Sequence, residues 1–183
     1  MAIRTLYAAP TGNVVPIATL AAHLRIDARD EDDVLNDLLR EAVAAVEDRT
    51  GRRLLTQTWN ESFDDFADPL MLTEQPVSSI TSVTYTDSNG DTQTLSSSVY
   101  ELGKLNGWSV VRKKYDQDWP STRAHEDVVT VRYVVGYGTA ASVPDSLLKA
   151  VRVHAAWNHR HREGEPIPDG FYHLISPYRL RHV

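Results

Sequence analysis

The sequence contains no cysteine, only two methionines and no excess of basic residues. The lack of cysteine excludes disulfides, thiolate zinc sites and cysteine nucleophiles. Its 19 lysines and arginines against 25 aspartates and glutamates give a net charge of −6. That balance argues against a surface that wraps DNA, because phosphate binding needs clustered cations. No apolar run approaches the ~20 residues that cross a bilayer, so we expect a soluble protein.

The length and composition are those of an ordinary globular protein. A chain of 183 residues can form one hydrophobic core, or one core and a smaller inserted unit. Apolar residues make up 42% of the chain and charged residues 24%, which argues against general disorder. One folded unit, with or without an insertion, is therefore expected.

Three segments have the spacing of apolar residues that is typical of amphipathic helices. The first lies between Ile17 and Leu24. The second, VLNDLLREAVAAVEDRT, follows an acidic turn in which Asp30 can cap the helix, and Gly51 supplies its C-terminal stop. The third begins at Pro144, in a position where a missing N–H costs nothing.

The middle of the chain has the pattern of an antiparallel β unit. Short alternating runs between Leu54 and about Val135 are separated by turn residues and predict strands in LLTQTWNESF, PLMLTEQPV, ITSVTYT, TQTL, VYEL, WSVVRKK and DVVTVRYVV. The SNGD segment at 88–91 predicts a hairpin, because Asn-Gly tolerates the positive φ of tight turns.

Together these patterns predict an α+β fold: a helical bundle formed by N- and C-terminal helices, with a small antiparallel β unit inserted between them. The expected division is 1–53 for the N-terminal helices, 54–138 for the inserted β unit, 139–163 for the C-terminal bundle helix and 164–183 for an extended C-terminal docking segment.

The stretch HAAWNHRHRE places three histidines near the end of the third helix. On a regular helix His159 points away from His154, and His161 lies about 10.5 Å further along the axis, so no two of them can share a metal ion. We therefore expect His154 to be a hydrogen-bonded interior or interface residue, and His159 and His161 to be solvated. A distorted helix leaves open a metal-dependent hydrolase that uses His154 and His161 with His173 or Asp169.

Four ordered segments carry a resemblance to a known family. The run PIATLAAHLRIDARDEDDVLNDLLREAVAAVEDRTGRRLLTQTW resembles the N-terminal signature of head-tail connector proteins, also called adaptor or head completion proteins, of long-tailed bacteriophages and gene transfer agents. QPVSSITSVTYTDSNGDTQTL, VTVRYVVGYGTAASVPDSLLKAVRVHAAW and LISPYRLRHV fit in the same order, so the resemblance covers nearly the whole chain. NHRHRE after Trp157 departs from the family pattern, which puts the local contacts of that helix end in doubt.

The resemblance implies a structural virion protein, without catalysis or cofactor, made in the bacterial host cytoplasm and located at the head-tail interface. It implies a ring of about twelve subunits beneath the portal protein. The C-terminal segment would dock into the portal, and a stopper or tail-completion protein would bind the opposite side. DNA would pass through the centre without being recognised by sequence.

Two groups of residues are expected to make these contacts. The C-terminal segment has the aromatic and arginine content of an interface anchor, so the expected portal-docking residues are Phe171, Tyr172, Leu174, Ile175, Tyr178, Arg179, Leu180 and Arg181. The apolar arc of the third helix is wide enough to be contacted from several sides, so the expected bundle or inter-subunit residues are Leu147, Val151, His154 and Trp157.

Two alternatives remain open at this point. The C-terminal segment could pack on its own domain instead of a partner, and the chain could be a monomeric β-rich binding module.

A further hypothesis concerns charge. Acidic residues gather at 27–48 and arginines near the C-terminal end, and this asymmetry would orient neighbouring subunits, or connector and portal, as they meet.

Overall fold

The computed structural model describes residues 3–26, 32–161 and 165–180 of a mixed α+β protein. The chain divides into two compact units. Met1–Pro10 and Thr56–Gly136 form the first, which we call the β unit, and Thr11–Leu55 and Tyr137–Val183 form the second, the helical unit. The chain therefore passes from one unit to the other three times.

The β unit contains two antiparallel sheets. Its strands are β1 (Ile3–Ala8), β2 (Gln57–Phe63), β3 (Leu70–Met71), β4 (Val77–Thr86), β5 (Thr92–Thr94), β6 (Tyr100–Leu105), β7 (Trp108–Lys113) and β8 (Val129–Val135). The larger sheet has the order β1-β2-β8-β4-β5 and the smaller one β3-β7-β6. All seven strands predicted between 54 and 135 are thus present.

Alternation along the strands builds the core of the β unit. In β8 the side chains of Val129, Val131, Tyr133 and Val135 are buried, while those between them are half-buried. They join one hydrophobic cluster with residues of the smaller sheet such as Val111. The inner side of β8 is therefore apolar.

The predicted SNGD hairpin is confirmed between β4 and β5. Gly90 has φ of 96°, and the Asp87 carboxylate accepts hydrogen bonds from the N–H groups of Asn89 (2.9 Å) and Asp91 (3.0 Å). These bonds, with one from Gln93, lower the pKa of Asp87. The turn residues therefore fix the register of this hairpin.

The N-terminal strand is a correction to the predicted segment 1–53, which contained helices only. Residues Ile3–Ala8 pair with β2, where Ile3 lies opposite Ser62 and Ala8 opposite Thr58, with an irregularity between Leu6 and Ala8. Because the partner strand lies some fifty residues further along the chain, no local pattern indicates this pairing.

The helical unit contains α1 (Ile17–Leu24), α2 (Asp32–Thr50), α3 (Asp145–Arg160) and α4 (Asp169–Ile175), with 3-10 turns at Ala140–Ser142 and Ser176–Tyr178. The first three helices are those predicted. Asp30, the predicted cap of α2, lies outside the described residues. All four helices contribute to one hydrophobic cluster, through residues that include Leu20, Leu39, Val46, Leu147, Val151, Phe171 and Ile175. None of the helices in the described ranges is long and apolar enough to span a membrane.

The prediction of an extended segment after residue 163 is wrong for residues 169–178. They form α4 and a 3-10 turn instead. Phe171 and Ile175 are spaced i, i+4, so they share one face of α4, and both are buried in the core of the helical unit. Pro168 directly precedes the helix, where its missing N–H is tolerated.

Candidate functional site

The C-terminal segment, residues 165–180, is held on its own unit by an aromatic anchor. The ring of Phe171 is fully buried, and its centroid lies 5.4 Å from that of His154 in α3. The guanidinium of Arg49, in the last turn of α2, lies 5.7 Å from the same centroid. Phe171 thus joins α4 to both α2 and α3.

A second attachment joins the end of the segment to the end of α2. The Leu180 N–H donates to the Thr50 carbonyl at 3.0 Å, and Arg52 Nε donates to the Tyr178 carbonyl at 2.6 Å. A Cβ at Gly51, which has φ of 67°, would lie 3.2 Å from Leu180 Cδ1. The Leu180 N–H therefore satisfies the Thr50 carbonyl, one of the carbonyls that have no partner within the last turn of α2.

The predicted docking residues fall into three groups. Phe171 and Ile175 belong to the core, so neither is free to enter a partner. Tyr172 is 42% exposed and Arg179 is exposed, and the remaining described members are half-buried: Leu174, Tyr178 and Leu180. Arg181 lies outside the described residues. We call Tyr172, Leu174, Tyr178, Arg179 and Leu180 the C-terminal surface.

The residues expected at bundle or inter-subunit contacts are mostly interior. Leu147 and Val151 are fully buried and His154 is 5% exposed, all within the helical unit. Trp157 is half-buried, stacks on the His161 ring with centroids 3.7 Å apart, and donates from Nε1 to the Glu165 carbonyl at 3.3 Å. Only Trp157 in this group keeps an accessible face.

The histidines do not converge. His154 is buried as predicted, but its Nδ1 has no hydrogen-bond partner in the described part of the chain. Burial lowers the pKa of His154, Arg49 lowers it further, and Glu41 opposes them. His159 and His161 are half-buried, not solvated. Among the described residues, no group of three histidine or carboxylate side chains is arranged to hold a metal ion, so the hydrolase alternative gains no support.

Sequence reasoning missed a buried polar cluster in the β unit. The Glu61 carboxylate is inaccessible to solvent and accepts hydrogen bonds from Tyr133 Oη (2.6 Å), the Thr73 N–H (3.0 Å) and Thr73 Oγ1 (3.0 Å). Beside it, Arg4 of β1 donates to Glu74 at 3.0 Å. A signal for the cluster was present, because Glu61 occupies an inward position of β2 between Trp59 and Phe63.

Burial raises the pKa of Glu61, and the hydrogen bonds from Tyr133 and Thr73 and the charge of Arg4 only partly offset it. Burial and the neighbouring Glu61 charge raise the pKa of Tyr133 well above its usual range. Each polar atom of the Glu61 carboxylate has a donor, so the cluster braces β2, β8 and the segment after β3.

Solved structures with this fold come from gene transfer agent particles. The chain is similar to one in the neck of an empty particle computed with C6 symmetry, at 23% identity, with 99% of this chain and 97% of that chain covered and a TM-score of 0.84. A chain of the native particle's virion matches at 24% identity, with the same coverage and a TM-score of 0.82. A third, from the native neck computed with C12 symmetry, matches at 22% identity, with 97% of both chains covered and a TM-score of 0.71. The fold is thus of the class found in these particles.

The sequence also matches a family model. Residues 17–104 match the family model described as phage gp6-like head-tail connector protein. No curated protein matches the sequence significantly. This match confirms the resemblance to head-tail connector proteins that the sequence segments carry.

Proposed function

We propose that this protein is a structural component of the virion, a head-tail connector that works by assembly and docking, without catalysis. The observation that carries the proposal is the agreement of two features. Residues 17–104 match the connector family, and 99% of the chain shares the fold of a chain from a particle neck. The necks with this fold were computed with C6 and C12 symmetry, which supports a closed ring.

In the ring of about twelve subunits, the helical unit acts as a bundle of helices from before and after residues 56–136, and those residues form most of the β unit. The portal protein binds one side, and a stopper or tail-completion protein binds the other. DNA passes through the centre without sequence-specific contacts. The net charge of −6 suits such a conduit, because a basic lumen would retain phosphates during ejection.

The C-terminal surface is the proposed contact with the portal. Tyr172 projects from α4, which is fixed in the core by Phe171 and Ile175, so the tyrosine is presented on a rigid support. Arg179 adds a charged donor just before the attachment of Leu180. Aromatic and arginine side chains are typical of binding hot spots, and a tyrosine on a fixed helix loses little side-chain entropy on docking.

The test mixes the protein with its cognate portal and images the product. The double variant Tyr172→Ala, Arg179→Ala should decorate portals at least about tenfold more weakly than the original protein, with an unchanged unfolding midpoint. His173→Ala is the matched control, because His173 is exposed on the same helix and should bind normally. Normal decoration by the double variant would refute this docking surface. Absence of any binding by the original protein would refute the connector function.

A chain cut after Gly170 is a poor reagent for this purpose. It removes Phe171 and Ile175 and therefore part of the core, so lost binding would not separate docking from folding.

A further inference from the structure

The N-terminal strand is an edge strand with unusual exposure. All six residues of β1 are exposed, including the apolar Ile3 (54%), Leu6 (47%) and Tyr7 (57%). In the described structure β1 pairs only with β2, so roughly half of its N–H and C=O groups point away from the sheet. An apolar edge of this kind is an aggregation hazard unless another chain covers it.

β1 is nevertheless held firmly in place. The Arg4 side chain forms an ion pair with Glu74, which is only 5% exposed, at 3.0 Å. The guanidinium of Arg132 lies 3.7 Å from the ring centroid of Tyr7. Side chains on both faces of β1 thus contact other strands or loops of the β unit. The exposed edge is preorganised, which lowers the entropy cost of pairing with another strand.

The opposite side of the β unit has a second free edge of equal length. β6 has six residues and in the described structure pairs only with β7. It exposes the apolar side chains of Leu102 (37%) and Leu105 (42%). β5, the other edge strand on that side, has three residues and exposes only polar side chains, Thr92, Gln93 and Thr94.

The contacts within the β unit place these two edges on opposite sides. Thr73, which follows β3, contacts Glu61 of β2, so the β3 end of the small sheet lies by the β1-β2 end of the large one. Leu95, which precedes β6, donates its N–H to the Val83 carbonyl of β4 at 2.8 Å. Only residues 96–99 separate Leu95 from β6, so the start of β6 lies near β4 and β5.

We propose that β1 of one subunit pairs with the free edge of β6 in the next subunit of the ring. This inference rests on the proposed function. A closed ring needs two different surfaces on opposite sides of each subunit, since each copy must present one surface and receive the other. β1 and β6 meet that requirement in length, exposed apolar side chains and unpaired main-chain groups.

Cysteine cross-linking tests the pairing without background, because the chain has no cysteine. Assembled particles would carry Leu6→Cys together with one cysteine at position 101, 102, 104 or 105, which samples the possible registers. Residues directly opposite on paired strands have Cβ atoms about 4.5–5.5 Å apart, close to the separation in a disulfide. Oxidation followed by a non-reducing denaturing gel should give a ladder of multimers for at least one pair.

Three controls sharpen the result. Leu6→Cys alone should give no multimer, because the two edges differ. Leu6→Cys with Tyr115→Cys should give no multimer either. Tyr115 is 99% exposed in the same unit, so a cysteine there would be the first to cross-link if subunits joined by random collision. Leu6→Cys with Thr94→Cys asks whether β5 is the partner instead.

The outcomes decide between the possibilities. Dimers from Leu6→Cys alone would mean that two copies of β1 pair with each other and would overturn the proposal. So would a ladder from the Thr94 or Tyr115 pair, or no ladder from any pair in particles that contain the protein in full amount. Particles that lack the protein altogether would instead count against the connector function.

Discussion

At the scale of single residues, the buried ionisable groups of the two units have opposite effects on stability. Glu61 is a carboxyl group whose pKa is raised by burial, and His154 is an imidazole whose pKa is lowered by burial. Glu61 has a donor for each oxygen, whereas His154 Nδ1 has no partner in the described structure. The hydrogen bonds of Glu61 therefore stabilise the β unit, whereas the unpaired Nδ1 of His154 destabilises the helical unit.

Replacement of Glu61 should separate its hydrogen bonds from its charge. In Glu61→Gln the amide oxygen can accept from Tyr133 and the Thr73 N–H, while the NH₂ donates to Thr73 Oγ1. Glu61→Leu leaves those donors unpaired and should cost about 3 kcal/mol of unfolding free energy. Urea denaturation followed by near-ultraviolet circular dichroism measures the unfolding free energy of each variant. Equal losses in the two variants would contradict the assigned roles of the hydrogen bonds.

Comparison of Glu61→Gln with the original protein should also show how the stability contributed by Glu61 depends on pH. Because the folded pKa of Glu61 lies above its unfolded value, its contribution to stability is complete below the unfolded pKa and is lost as pH rises through the folded pKa. Glu61→Gln cannot ionise, so its stability relative to the original protein should increase from pH 4 to pH 8. A constant difference across that range would show that folding does not shift the pKa of Glu61.

His154→Leu should increase stability, most of all in acid. The folded pKa of His154 lies below the unfolded value, so the stability contributed by the neutral ring is present above the unfolded pKa and lost as pH falls through the folded pKa. The variant removes that loss and the unpaired Nδ1, and we expect a gain of about 1 kcal/mol at pH 8 and more at pH 5. His173→Leu, on the exposed side of α4, should keep the acid sensitivity of the original protein.

At the scale of elements, sequence patterns predicted two kinds of helix and strand. The first kind pairs with a neighbour close along the chain, and the second has an apolar repeat that extends over many residues. The β4-β5 hairpin is of the first kind and helix α2 of the second. β1 was missed because its pairing with β2 is a long-range contact, and because Arg4 and Leu6 on its inner side give no apolar alternation. Helix α4 was missed because it is short and contains Gly170, although Phe171 and Ile175 have helical spacing.

The resemblance to head-tail connectors was predictable from ordered sequence segments, but the division of the docking residues was not. Burial of Phe171 depends on Arg49 and His154, which come from two other helices. Composition alone cannot distinguish such an anchor from its exposed neighbour Tyr172, because both are aromatic residues of one short helix.

Crowding at the end of α2 should be measurable with two glycines. Gly12 and Gly51 both have positive φ, but a Cβ at Gly12 has no atom within 4 Å, whereas one at Gly51 meets Leu180. Gly12→Ala should therefore cost about 1 kcal/mol of unfolding free energy, and Gly51→Ala about 2 kcal/mol. In a Leu180→Ala background the cost of Gly51→Ala should fall to that of Gly12→Ala, as a double-mutant cycle would record. An unchanged cost would mean that Leu180 does not contact Gly51 in solution.

At the scale of the whole molecule, the uneven charge distribution gives a prediction for assembly. α2 carries acidic residues from Asp32 to Asp48, and the C-terminal surface carries Arg179. Raising the salt concentration from about 0.05 to 0.5 M should weaken ring or portal binding about tenfold, because attraction between exposed charges is screened. The binding loss caused by Tyr172→Ala should stay the same at both salt concentrations. Salt-independent assembly would rule out charge as the orienting factor.

The path of the chain between its two units also constrains how its gene can recombine with related genes. Residues 56–136 form most of the β unit, yet the edge strand that completes the large sheet is encoded ahead of the helical unit. An exchange that imported only 56–136 from a related gene would leave β1 facing a foreign β2 and would separate Arg4 from its native Glu74 partner. Viable hybrids should therefore carry the codons for residues 1–10 along with the insert, so two distant pieces of the gene are inherited as one module.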